Sequence, residues 1–111
     1  MREHGNEVLT ETTFLVLLSF CKPNHGYGVM QFLDIYTNGR VRLGAGTLYG
    51  IINTLCKKGD IELYCEDNRK KTYLITENGK EKLEKEIIRL ESNVVLGKQI
   101  MNGRDKFETM K

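Results

Sequence analysis

Apolar residues fall at Leu48, Ile51, Ile52 and Leu55, the i, i+3, i+4, i+7 spacing of a helix with one buried face. The helix so predicted covers GAGTLYGIINTLCKK, residues 44–58, and stops at Gly59. At 100° per residue its opposite side carries Gly46, Tyr49, Gly50, Asn53 and Lys57, with Thr47 and Thr54 at the edge. That side is short on bulk and rich in hydrogen-bonding groups. Interior glycines cost a helix roughly 1 kcal/mol each against alanine, so close approach to the backbone is expected there, by a duplex groove or by a neighbouring helix.

The pattern then changes period. IELYCE (61–66) and KTYLIT (71–76) read as two strands joined by a tight basic turn, DNRK. Ile61, Leu63 and Cys65 alternate and are expected to point inward; Tyr73, Leu74 and Ile75 do not, which leaves the facing of the second strand open. Upstream, a first helix from about Val8 to Cys21 is apolar almost all round and stops before Pro23. A second begins near His25-Gly26-Tyr27-Gly28, repeats the stripe at Val29, Phe32, Leu33 and Tyr36, and ends at Asn38-Gly39. Arg40 to Leu43 alternates and suggests a short strand with both arginines on one side.

Thr76-Glu77 is a helix start, a capping hydroxyl followed by an acid. The helix that follows is expected to reach about Met101. Leu83, Ile87, Leu90, Val94, Gly97 and Met101 step by 4, 3, 4, 3, 4, the seam of a coiled coil, which Ile88 and Val95 widen. So long a helix on so small a domain either folds back on its own core or pairs with a second copy. The over-apolar first helix favours a homodimer, through Phe14, Leu15 and Leu18 together with that seam. Residues 104–111 are polar and expected to fray.

The order of elements is that of a winged helix-turn-helix: mainly α, with a small β wing and a long C-terminal helix. Residues 1–76 form the winged domain and 77–111 the dimerisation helix and tail, in one compact unit. Length adds little, since 111 residues are one domain's worth. Charge adds more. The total of +2 is a weak footprint for nucleic acid, but residues 40–71 hold seven bases against four acids, a local +3. Three cysteines without CxxC spacing, Cys21, Cys56 and Cys65, are expected to be buried free thiols. No apolar run approaches a membrane span and MREHGNEV lacks a signal pattern, so the cytoplasm is the expected compartment. His4 and His25 are too isolated for a metal site, and no catalytic triad, carboxylate pair or phosphate loop stands out. Neither an enzyme nor a bound cofactor is expected.

Double-stranded DNA is the expected partner. Asn53 has the amide that reads adenine, Tyr49 and Thr47 can meet phosphate or a thymine methyl, and the N–H groups at Gly46 and Thr47 sit where a phosphate is favoured. Arg69, Lys70 and Lys71 form a basic wing tip, which equally can serve to keep a strand edge soluble. Gly50 and Lys57 share the outward face; Arg40, Arg42 and Tyr27 are secondary phosphate candidates.

HGYG at 25–28, GTLY at 46–49 and YLITENG at 73–79 resemble the PadR family of bacterial transcriptional regulators, in order and at matching spacing over about residues 9–95. The short tail is similar to the members with one helix after the wing. The resemblance implies a homodimeric repressor on a palindromic operator, released in several members by a small aromatic molecule near the dimer interface. Phe14, Leu15 or Leu18 with Asn93, Val94 or Gly97 would line such a pocket. One departure is the Gly44-Ala45 pair where the family often has Ser-Pro, so a hydroxyl cap is missing. Two rival readings keep the fold: a module docking an acidic protein, and a ligand sensor with weak DNA binding.

Overall fold

The computed structural model describes residues 7–104; His4 and the tail from 105 onward lie outside the described residues. Its elements are α1 (Glu11–Leu18), α2 (Gly26–Tyr36), α3 (Ala45–Lys57), β1 (Ile61–Asp67), β2 (Lys70–Ile75) and α4 (Glu77–Met101). This is a mainly helical winged fold with one two-stranded antiparallel sheet.

Helix α1 is shorter than its apolar run. Thr10 starts it by accepting the Thr13 N–H at 3.1 Å. Ser19 ends it: its hydroxyl donates to Val16 O at 2.6 Å, and the following N–H groups of Phe20 and Cys21 reach back only three residues. The strand expected over residues 40–43 is absent. Thr37 stops α2 by donating to Leu33 O, and its hydroxyl accepts the Val41 N–H at 3.0 Å, while Arg40 N–H turns back to Thr37 O. Donors used in a local cap are not available to a ladder. The wing's third partner is instead Asn24, which exchanges both backbone hydrogen bonds with Tyr73, at 3.0 and 2.7 Å.

Leu48, Ile52 and Leu55 are buried as the α3 stripe requires. They join Val16, Leu17, Phe20, Val29, Leu33, Ile61, Ile75 and Leu83 in one core, with the Tyr73 ring edge-on to Phe20 at 6.1 Å. Gly44 caps α3 without a side-chain acceptor, as its sequence foretold. In the wing, Asn68 (φ 49°) and Arg69 (φ 68°) both adopt the left-handed conformation of a two-residue hairpin turn. The alternation expected for β1 fails beyond Ile61. A bulge between Leu63 and Cys65 leaves Tyr64 unpaired, and Leu63 and Cys65 are exposed, because the ribbon runs out past the core. Of the three cysteines only Cys56 is even half-buried. Cys21 lies beyond the end of α1 and Cys65 beyond the bulge, so the buried-thiol expectation fails.

Helix α4 begins at Thr76, whose oxygen accepts the Gly79 N–H while its hydroxyl donates to Gly59 O at 2.7 Å. Gly79 lets the helix lie against the Asp60 backbone, where a methyl would overlap. Gly79, Leu83 and Glu86 are buried, and beyond them the helix projects from the domain. Ile87 and Leu90 are each 39% exposed, Val94 54% and Met101 86%. No helix among the described residues is long and apolar enough to cross a membrane.

Candidate nucleic-acid interface

The outward face of α3 is open. Gly46, Tyr49, Gly50, Asn53 and Lys57 are all exposed, and a methyl placed on Gly46 or Gly50 would meet nothing of the described chain within 4 Å. Among the described residues, no neighbouring helix accounts for these two glycines. Gly46, Gly50, Asn53 and Lys57 follow one another at steps of 4, 3 and 4, a narrow ridge with little side-chain height.

Beside this ridge lies a cleft of about 550 Å³, with walls from the start of α2, from α3 and from the wing. Tyr27, Tyr49, Asn53, Arg69, Lys70 and Lys71 all contribute to it, so the structure brings six of the residues singled out by sequence to one concavity. Glu66 and Asp67 sit opposite Lys71 and Lys70 in the strand register, yet none of the three wing cations forms an ion pair among the described residues. Arg69 reaches the tip through a left-handed backbone that costs a branched or bulky residue strain.

Two motifs lock together here. The Tyr49 ring rests on Gly26, where a methyl would overlap its hydroxyl. HGYG and GTLY are thus the two sides of one contact, which fixes α3 against α2. Tyr49 is 49% exposed, so one edge packs on Gly26 while the other faces the cleft. Sequence reasoning placed His25 at the start of the second helix but gave neither it nor Asn24 a role in the cap. His25 caps α2 through Nδ1, which accepts the Gly28 N–H at 3.2 Å, and its ring joins the cleft wall. Asn24 accepts the His25 N–H at 2.8 Å and donates to Ser19 O at 3.2 Å. The signal was an Asn-His pair just before a glycine-rich helix start.

Two half-buried groups close to the wing, Cys56 and Tyr73, are chemically quiet, and of the two only Tyr73 lines the cleft. Burial raises the Cys56 thiol above its ordinary value, with Lys71 opposing, so the sulfur stays protonated. Burial also raises the Tyr73 phenol, helped by Cys56, Glu66 and Tyr49. Among the described residues no group of three or more His, Cys, Asp or Glu side chains is placed to hold a metal ion.

Other nominated residues lie elsewhere. Arg40 pairs with Glu11 at 2.6 Å and Arg42 with Asp34 at 3.0 Å, and neither lines the cleft. To bind a phosphate each would have to exchange one carboxylate partner for another anion. Thr47 and Gly50 border a separate hollow against Thr13 of α1. Phe14, Leu15 and Leu18 are half-buried at the core margin on α1, and Asn93, Val94 and Gly97 are exposed on the projecting half of α4.

A sequence model described as the transcriptional regulator PadR-like family matches residues 14–85. Among solved structures, a transcriptional regulator from Clostridium thermocellum is 26% identical with a TM-score of 0.64, over 83% of this chain and 89% of that one. A PadR family transcriptional regulator from Eggerthella lenta is 21% identical with a TM-score of 0.66, over 85% and 83%. Bacillus subtilis PadR in complex with operator DNA is 19% identical with a TM-score of 0.62, over 71% of this chain and 48% of that one. No curated protein matches the sequence.

Proposed function

Because the chain belongs to the PadR-like family of transcriptional regulators, which are not enzymes, we propose that it represses transcription by binding a palindromic operator as a homodimer. The observation that carries this reading is the cleft. Three cations that form no ion pair among the described residues stand beside a low helix ridge that nothing in the described chain covers. The ridge enters a major groove, where Asn53 reads a base edge and Gly46 and Gly50 let the backbone come close. Arg69, Lys70 and Lys71 grip the flanking backbone, releasing counterions. That a PadR protein has been solved on operator DNA supports the same use of the fold.

Pairing follows from α4. A stripe of Ile87, Leu90, Val94 and Met101 left 39–86% exposed is a surface that water disfavours and a twofold copy would bury. The two α3 ridges then meet successive grooves roughly 34 Å apart. A small aromatic molecule between α1 and the far half of α4 would release the operator by changing that spacing.

Fluorescence anisotropy with a duplex from upstream of the chain's own gene, against a scrambled duplex, tests the proposal. Preference for the upstream duplex by about 10³-fold or more is expected of a specific regulator at physiological salt. Weak binding blind to sequence would instead mark a module that docks an acidic protein.

A further inference from the structure

A second charged hollow lies away from the cleft, between the end of α3 and the first turns of α4. We propose that it is a binding site for a small oxyanion, a carboxylate or a phosphate, and that Glu7 occupies it as a tethered competitor.

The site is built on Asp60, whose side chain is 2% exposed. Asn78 donates to its carboxylate at 2.8 Å and Lys82 lies 3.1 Å from it. Lys82, itself only 11% exposed, also reaches Glu7 at 3.2 Å, and Lys58 holds the other Glu7 oxygen at 2.7 Å. The Glu7 carboxylate thus bridges two ammonium groups, as a free anion would. Burial alone would lower the Lys82 pKa, but the hydrogen bonds it donates to Asp60 and Glu7 outweigh that and raise the value, so the lysine stays charged.

The four charges cancel while Glu7 is in place. With Glu7 swung out, one positive charge is left uncancelled in a hollow of about 430 Å³, large enough for a small organic acid. Glu7 does not belong to the helices that build the site. It arrives on the segment before α1, so it can leave without unpacking Asp60.

Leaving has a structural consequence. Two residues on, Leu9 is buried and its N–H donates to Glu86 of α4 at 3.3 Å. Displacing Glu7 slackens the segment that lies along α4 at the root of its apolar stripe. The hollow also joins Lys58, at the end of the outward-facing helix, to the helix that projects from the domain. An anion here would therefore report on the angle between the two.

The test compares the wild-type chain, Glu7→Ala and Glu7→Ala with Lys58→Ala, titrated with inorganic phosphate and with succinate against sodium chloride of equal ionic strength. Backbone amide shifts at Asn78 and Lys82 are the readout, with circular dichroism to verify folding. Lys82 is left intact because its loss would strand Asp60. Saturable shifts are expected in Glu7→Ala, about tenfold tighter than in the wild type, since a short tether holds its carboxylate at an effective concentration of order mM. The double variant should lose them. Response to phosphate alone, to succinate alone or to both identifies the anion. Shifts that sodium chloride reproduces, that survive Lys58→Ala, or that are equally tight with Glu7 present would overturn the proposal.

Discussion

Replacing Gly50 with alanine separates what α3 needs for folding from what it needs for function. Gly50 is the sixth residue of a 13-residue helix, its φ is not in the left-handed region, and the added methyl meets nothing within 4 Å. Thr54 still donates to the residue-50 carbonyl, at 3.1 Å. The substitution thus removes glycine's helix penalty at no steric cost and should stabilise the chain by about 1 kcal/mol. For a domain of this size that is a rise in Tm of roughly 4–8 °C. Protomer concentration must be held fixed, because a dimer's Tm depends on it. On DNA the same methyl would stand where the proposed contact brings the ridge to the groove, and an overlap of roughly 1–3 kcal/mol would weaken operator binding by about fivefold or more. A melting curve and an anisotropy titration on the same sample give both numbers. A more stable variant with undiminished operator affinity would refute the close-approach argument, and a less stable one would refute the structural half.

Asn53→Ala should relax preference at a single operator position, with a loss of about 1–3 kcal/mol there and little change elsewhere, read from a panel of point-substituted duplexes. Leu90→Glu with Val94→Glu should yield a folded monomer in analytical ultracentrifugation; a dimer that persists would move the interface elsewhere. The Glu86 carboxyl titrates below its ordinary 4.5, because Arg89 and the Leu9 N–H outweigh the burial that opposes them. Its stabilisation is full above that ordinary value and is lost as pH falls through the lowered one, so Glu86→Gln should flatten the acid limb of a stability-against-pH curve.

The period of α3 was read correctly from sequence, whereas Tyr36, on the stripe expected of α2, is 73% exposed. Leu48, Ile52 and Leu55 had to face inward whatever packed on them, and Thr76 had to start a helix. Tyr27, Tyr49, Asn53 and the wing cations were singled out from sequence one by one, and the structure brings them to one cleft. Contacts between distant residues were not readable. Nothing local announces that Tyr64 is bulged, which frees Leu63 and Cys65 from alternation, or that Asp34 and Glu11 engage Arg42 and Arg40. Asp60 and Glu86 look like surface acids in sequence and are buried because Lys82, Asn78, Arg89 and the Leu9 N–H satisfy them. The Arg40–Leu43 alternation was real, but Thr37 used its backbone donors first.

The role of the wing cleft is tested most directly by the salt dependence of operator affinity for the wild type and for Arg69→Ala with Lys70→Ala. Binding through these cations predicts that the double variant loses affinity for every duplex alike and that its log K against log salt slope shrinks by roughly 4, two contacts from each protomer of the dimer. An unchanged slope and an unchanged affinity would place the DNA on another surface.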